Sequence, residues 1–181
     1  MSILNVPQGT QAFSYDCGIK SLQLMMAYYG VEVPYHNLLR TMKRYKRFGL
    51  PKEVMANIAR GYGFKVISKT GCSLKEVQEN LEEGHPTIVA IQAWADHKLG
   101  QEELKRSGIG GCKEDWGHYV VVVGLEDGKV ILNDPLSFRR VWLTEEDLLN
   151  RWHAANEFNF ALSLRGKLPA DKEMVHIDSW H

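Results

Sequence analysis

An α+β domain, with N-terminal helices packed on a C-terminal antiparallel sheet, is the fold class this chain of 181 residues predicts. Three observations carry that expectation. Apolar residues recur at helical spacing through most of the first half. Runs of β-prone residues bounded by turn signals fill the second half, and helices followed by antiparallel strands define the class. The length suits one domain, for which about 100–200 residues is usual. That domain is expected over 1–165, with an irregular tail at 166–181. Hydrophobic residues at 44% and charged residues at 24% exclude a disordered chain, a collagen-like repeat and a coiled coil.

Each element has its own signal. Asp16 is placed to cap a helix over Cys17–Tyr29, where Ile19, Leu22, Met25, Met26 and Tyr29 keep helical spacing and Gly30 supplies the stop. Pro34 opens a second helix running to about Tyr45. A third, Pro51–Ala59, carries Val54, Met55 and Ile58 on one face, and Gly61 and Gly63 end it. Phe64–Ser68 reads as a short strand. Ser73 and Glu76 form a capping-box pair, so Leu74–Glu82 is a helix stopped by Gly84.

Strands dominate from there. Thr87–Trp94 is strongly β-prone. His118–Leu125 and Lys129–Asn133 flank a Glu126-Asp127-Gly128 turn and predict a hairpin. Phe138–Leu143 follows as a strand, Thr144 caps a helix to about Trp152, and Phe158–Leu164 closes the sheet. Trp94, Trp116, Trp142 and Trp152 read as core residues by default. The stretch 95–117 has no clear period. A loop of that length is commonly functional, and Gly108, Gly110 and Gly111 make it pliable, so it reads as a lid or substrate wall.

Charge narrows the partners. Lys and Arg number 22 and so do Asp and Glu, so no global field gathers nucleic acid or an anionic membrane, and neither is expected as a partner. Lys43, Arg44, Lys46 and Arg47 read as a solvated face. The opening MSILNVPQGTQAF lacks the marks of a secretory signal, and no apolar run reaches the roughly 18 residues of a membrane span, so a cytoplasmic location is expected. The three cysteines, Cys17, Cys72 and Cys112, show no C-x-x-C spacing, which argues against a disulfide framework or a zinc knot. His85, Asp96, His97, Cys112, Glu114 and Asp115 are ligand types in no metal-binding spacing. No metal and no cofactor is expected.

Chemistry concentrates at four positions. Cys17 sits at the first turn of a helix, where the partial positive charge of the N-terminus favours a thiolate. A thiolate nucleophile needs a base, and His118, opening an apolar strand, is the best placed of the seven histidines. The base needs an orienting group. Pairing about residue 127 brings Asp134 close to His118 at the open end of the hairpin, give or take a bulge. Gln11, six residues before Cys17, can offer a side-chain amide that acts with the Cys17 backbone N–H as an oxyanion hole. Gly18 would let a substrate backbone approach the sulfur, and Asp16, Trp116 and Gly117 are further substrate-side candidates. Cys72, after Gly71, is a second thiol with no base assigned to it.

In this order, Gln11, then Asp16-Cys17-Gly18, then His118-Tyr119-Val120-Val121, then Asn133-Asp134-Pro135, the chain resembles the C39 group of papain-like cysteine peptidases. That group includes the bacteriocin-processing peptidase domains of export transporters and stand-alone relatives. The resemblance implies a papain-like fold with the Cys on a central helix and the His and Asp on a sheet. It implies a cysteine peptidase or amidase acting on a peptide or protein substrate, with Cys17 as nucleophile, His118 as base, Asp134 as orienter and Gln11 in the oxyanion hole. An acyltransferase or transpeptidase using the same residues, or a module that binds peptide without cutting it, remains open at this point.

Overall fold

The computed structural model describes residues 3–46, 49–92, 117–154 and 157–167. The stretch 95–116 with its expected lid, Trp94, Trp116 and Cys112 lie outside the described residues, as do Arg47 and the tail from residue 168.

The helices are α1 (Cys17–Tyr28), α2 (Tyr35–Leu39), α3 (Lys52–Gly61), α4 (Leu74–Glu82) and α5 (Glu145–Arg151). The strands are β1 (Lys65–Lys69), β2 (Thr87–Gln92), β3 (Gly117–Glu126), β4 (Lys129–Asn133), β5 (Val141–Thr144), β6 (His153–Ala154), β7 (Glu157–Phe158) and β8 (Ala161–Arg165). Six of them form one antiparallel sheet in the order β1-β8-β2-β3-β4-β5. β6 and β7 make a separate two-stranded ribbon.

Helices cover both faces of the sheet. On one side, α1 and α3 bury Ile19, Leu22, Met26, Met55 and Ala59 against Val121, Val123, Ile88 and Leu162. On the other, Val77 and Leu81 of α4, Leu148 of α5 and Trp152 pack on Val120, Val122, Val89 and Leu132. β3 is therefore buried on both faces, which is why its sequence is a continuous apolar run rather than an alternation.

Helix α1 is central. Every residue from Cys17 to Ala27 is buried, and its polar members are each paired. Ser21 Oγ donates to Tyr119 O at 3.2 Å, Gln23 Nε2 to Val33 O at 2.8 Å and Lys20 Nζ to Gln23 Oε1 at 2.8 Å. Gly30, at φ +78°, ends the helix, and the Val31 N–H reaches back to Met26 O, as in a Schellman closure.

The hairpin turns on Asp127 (φ +51°) and Gly128 (φ +71°), a left-handed pair that suits Asp-Gly and joins Glu126 directly to Lys129. Register slips by one residue between Val122 and Gly124, so Val123 is bulged and its carbonyl accepts the Leu4 N–H at 2.8 Å. The capping box of α4 forms as expected, with Ser73 and Glu76 exchanging bonds. Thr144 Oγ1 accepts from the Asp147 N–H at the start of α5.

Four expectations change. The single helix over 34–45 divides into α2 and a 3₁₀ turn at Thr41–Arg44, because the Thr41 hydroxyl donates to the Leu38 carbonyl at 2.6 Å and competes with the helix ladder. The strand expected from Phe138 starts only at Val141. Leu136, Ser137 and Arg139 spend their N–H groups inside a turn, on Asp134 Oδ1, Asp134 O and Ser137 Oγ. The last strand begins at Ala161 rather than Phe158, since Asn159 turns at φ +51°. Trp142 is not core: it is 54% exposed, with the Lys129 ammonium 4.6 Å above its ring.

Trp152 is fully buried and donates from Nε1 to Phe160 O at 2.8 Å. Trp152→Phe strands that carbonyl and leaves a void, so a loss of about 2 kcal/mol or more is expected, read as a lower urea midpoint at unchanged slope.

Candidate active site

Three side chains meet where α1 approaches the open end of the hairpin. Cys17 is the first residue of α1 and is 7% exposed. His118, second residue of β3, is 6% exposed, and its Nε2 lies 2.7 Å from Asp134 Oδ1. Near this end β3 and β4 pair as Val121 with Asn133, which leaves Asp134 one step past the strand and within reach of the imidazole. The Cys17 side chain is the second group that acts on the His118 ring, favouring its charged form. With Nε2 on Asp134, Nδ1 is the nitrogen left for sulfur.

Electrostatics follow from that contact. Burial works against the His118 imidazolium, but the Asp134 hydrogen bond and the Cys17 side chain outweigh it and raise the group to about 9. For Asp134 burial again favours the neutral form, and the His118 bond and charge with the Leu136 N–H hold it below its ordinary value. Cys72 is the contrast. Burial, with the Glu76 carboxylate next in weight, pushes its thiol up to about 11, and its Sγ lies against Ser73 O at 3.6 Å.

Gln11 reaches the site through its backbone. Its N–H donates to Pro135 O at 2.9 Å, fixing the Gln11 segment beside the Asp134 loop. Its side-chain Nε2 donates to Phe13 O at 2.5 Å, and its buried Oε1 has no hydrogen-bond partner among the described residues. The chain before it is strapped across β4. Asn133 Nδ2 donates to Val6 O and Pro7 O at 3.1 and 3.0 Å, and Arg140 Nη2 reaches Leu4 O and Val6 O at 3.3 Å.

The substrate-side candidates separate. Gly117 is exposed at the start of β3, beside His118. Gly18 faces inward, where a Cβ would lie 3.0 Å from Met55 Cε and Tyr119 Cδ2 and 3.3 Å from Leu50 Cβ. Its missing side chain lets α1 close on α3 and β3. Asp16 stands at the N-cap position but gives no side-chain bond to its helix. It is fully buried, and its carboxylate accepts from the Ala12 and Phe13 N–H groups at 3.2–3.3 Å and from Tyr35 Oη at 2.5 Å. Asn133, Arg140 and Tyr35 were not singled out as support for the site by sequence reasoning, although Asn133 directly precedes Asp134. Among the described residues no group of three or more His, Cys, Asp or Glu side chains is placed to hold a metal.

The sequence profile of the Peptidase_C39 like family matches residues 3–158. The chain belongs to that family. No curated protein matches it. Among solved structures, a C39-like protein from Bacillus anthracis is 19% identical over 93% of this chain and 100% of its own, with a TM-score of 0.70. The peptidase domain of Streptococcus ComA, a bifunctional ABC transporter of a quorum-sensing pathway, is 18% identical over 90% and 99%, with a TM-score of 0.65. A double glycine motif protease from an AMS/PCAT transporter, in complex with its leader peptide, is 20% identical over 92% and 95%, with a TM-score of 0.64. The fold is thus that of the C39 peptidase domains, and the papain-like α+β architecture implied by the four motifs is present.

The raised His118 value sets a pH dependence of stability. Its folded value lies above the ordinary 6.5, so the imidazolium contributes fully below about pH 6.5 and its contribution is lost as pH rises through about 9. The urea midpoint of the protein is expected to fall across that window, and to fall less in Asp134→Asn. Parallel curves for the two would contradict the pairing.

Proposed function

We propose that this C39-like protein is a cysteine peptidase or amidase that works through Cys17, His118 and Asp134. One observation carries the reading: the imidazole of His118, whose charged form the Cys17 side chain favours, has its Nε2 held 2.7 Å from the Asp134 carboxylate. Family membership supports a peptidase independently of that geometry.

The cycle needs only protein groups and water. Asp134 accepts the Nε2–H of His118 and holds the tautomer whose Nδ1 faces the thiol. Nδ1 takes the Sγ proton. The thiolate attacks the substrate carbonyl carbon, a C–S bond forms, and the carbonyl electron pair moves onto oxygen. The Cys17 backbone N–H and the Gln11 amide donate to that oxyanion. A side-chain amide carries two N–H donors, so Gln11 can keep one on Phe13 O and turn the other to the oxyanion. Collapse restores the carbonyl and breaks the C–N bond, and the amine leaves with the proton from His118. Water then gives a proton to His118 and attacks the thioester carbon. The C–S bond breaks, an acid is released and the thiol is regenerated.

A peptide or protein is the proposed substrate. Exposed Phe13 and Leu136 stand two residues from Gln11 and Asp134, and Phe138 two further on is 88% exposed, so apolar surface borders the reacting groups along the chain. The free thiols suit a reducing compartment, and the cytoplasm is the proposed setting.

Cys17→Ala is expected to abolish hydrolysis of a fluorogenic peptide amide while leaving the circular dichroism spectrum unchanged. His118→Ala is expected to cost about 10³-fold or more in kcat, and Asp134→Asn less, since it disturbs orientation rather than proton transfer. Iodoacetamide at pH 6, followed by peptide mass spectrometry, should label Cys17 well before Cys72, and the difference should vanish in His118→Ala. Full activity in Cys17→Ala would sink the assignment.

A further inference from the structure

Beneath the Gln11 segment lies a buried polar group that the cycle above does not use. Asp16, Tyr35, Lys20 and Gln23 are buried together although all four are polar, and each is in contact with the next. Tyr35 Oη donates to Asp16 Oδ2 at 2.5 Å and accepts the Ala12 N–H at 3.3 Å. The Lys20 ammonium sits 3.8 Å over the Tyr35 ring and donates to Gln23 Oε1, and Gln23 is tied to Val33 O. The remaining acceptor capacity of the Asp16 carboxylate goes to the Ala12 and Phe13 N–H groups.

Those two amides are the continuation of Gln11. Phe13 also supplies, through its carbonyl, the bond that now holds the Gln11 side chain. The segment that would deliver an oxyanion donor is therefore suspended from a carboxylate one residue before the nucleophile. Tyr35, 19 residues downstream on α2, fixes that carboxylate from behind.

We propose that Tyr35, backed by Lys20, is a positioning residue for the oxyanion hole: it orients the Asp16 carboxylate so that the Gln11–Phe13 segment is held at a fixed distance from Cys17. This rests on the hydrolase reading above. Three features support it. A buried carboxylate is held in one orientation only if its oxygens have fixed partners, and three N–H or O–H donors converge on this one. Burial first, and then the Asp16 bond, raise the Tyr35 phenol far above its ordinary range, so it remains a donor at any working pH. The Lys20 ammonium keeps a cation–π contact with the ring that carries the hydroxyl, which limits how that ring moves.

An oxyanion donor acts in the transition state and not in substrate binding. Loss of the Tyr35 hydroxyl should therefore lower kcat and leave KM and the nucleophile untouched. The test is Tyr35→Phe, assayed on a library of acetylated tetrapeptide coumarylamides with iodoacetamide labelling of Cys17 in parallel. Tyr28→Phe is the control: it also removes a core hydroxyl bond, from Tyr28 to Gly84 O, far along α1 from the Gln11 segment. The expected result is a kcat about tenfold lower in Tyr35→Phe. KM and the Cys17 labelling rate should stay within about twofold of wild type, and Tyr28→Phe should keep full kcat. Lys20→Met, which keeps the aliphatic stem over the ring, should show the same pattern in weaker form.

Equal kcat values for Tyr35→Phe and Tyr28→Phe would overturn the role. So would a kcat loss matched by an equal loss of Cys17 labelling, because the damage would then lie at the thiol pair or in the fold. Cys17→Ala in the same assay tells the two readings apart. Activity that survives in it removes the hydrolase itself. Activity lost in it but retained in Tyr35→Phe removes only the positioning role.

Discussion

The docking of α1 across β3 is the contact on which the rest depends. The helix carries Cys17 and the strand carries His118, so the distance between them is the distance between two packed elements. Gly18 sets how closely they approach, since a side chain there would meet Tyr119 and Met55 at 3.0 Å. One turn on, Ser21 Oγ bonds the Tyr119 carbonyl and fixes the helix along the strand. The sheet in turn is held from its other face by α4, α5 and Trp152. A helix buried on all sides cannot slide without opening cavities, and an interior at crystal-like density resists that. Cys17 and His118 are positioned by packing rather than by a loop.

A second constraint runs along the N-terminus. Leu4 caps the carbonyl that the Val123 bulge releases, Asn133 and Arg140 strap Val6 and Pro7, Gln11 bonds Pro135, and Ala12 and Phe13 end on Asp16. Most of these bonds go to main-chain groups. They define a path and leave side chains on that path free for other work. The same residues that flank Asp134 in sequence hold the strap in place, so one hairpin carries the His118–Asp134 pair and anchors the Gln11 segment. Two stretches of chain about a hundred residues apart, 4–17 and 118–140, thereby converge.

Much of this was legible in the sequence, for identifiable reasons. The Asp127-Gly128 turn announces a two-residue hairpin, and counting outwards from it brings Asp134 within two residues of the position opposite His118, near enough for the side chains to meet. Ser73 with Glu76, Thr144 and Gly30 are punctuation whose chemistry is local, and they sit where expected. What was illegible is non-local. Nothing around Asp16 tells that its carboxylate turns away from the helix it caps towards Tyr35, nor that Gly18 is small for the sake of Tyr119. The break after Leu39 and the late start of β5 depend on side chains competing for backbone groups, which periodicity does not register. The apolar Trp142 lies outside the core because edge strand β5 is left half-open, its burial alternating between partial and none.

The two described cysteines show what the site adds beyond burial. Cys17 and Cys72 are both buried, at 7% and 4% exposure, and each follows shortly after a turn and stands at or just before a helix. Burial alone disfavours a charged sulfur, and at Cys72 the nearest strong influence is the Glu76 carboxylate, which adds to the penalty. The sulfur of Cys17 instead meets an imidazole, and that imidazole is kept basic by a carboxylate on its other side. A helix N-terminus is common to both surroundings, so it is not what distinguishes them. The difference is the imidazole delivered from a strand a hundred residues away. In this fold, what sets Cys17 apart from Cys72 is a property of the α1–β3 contact and not of either element alone.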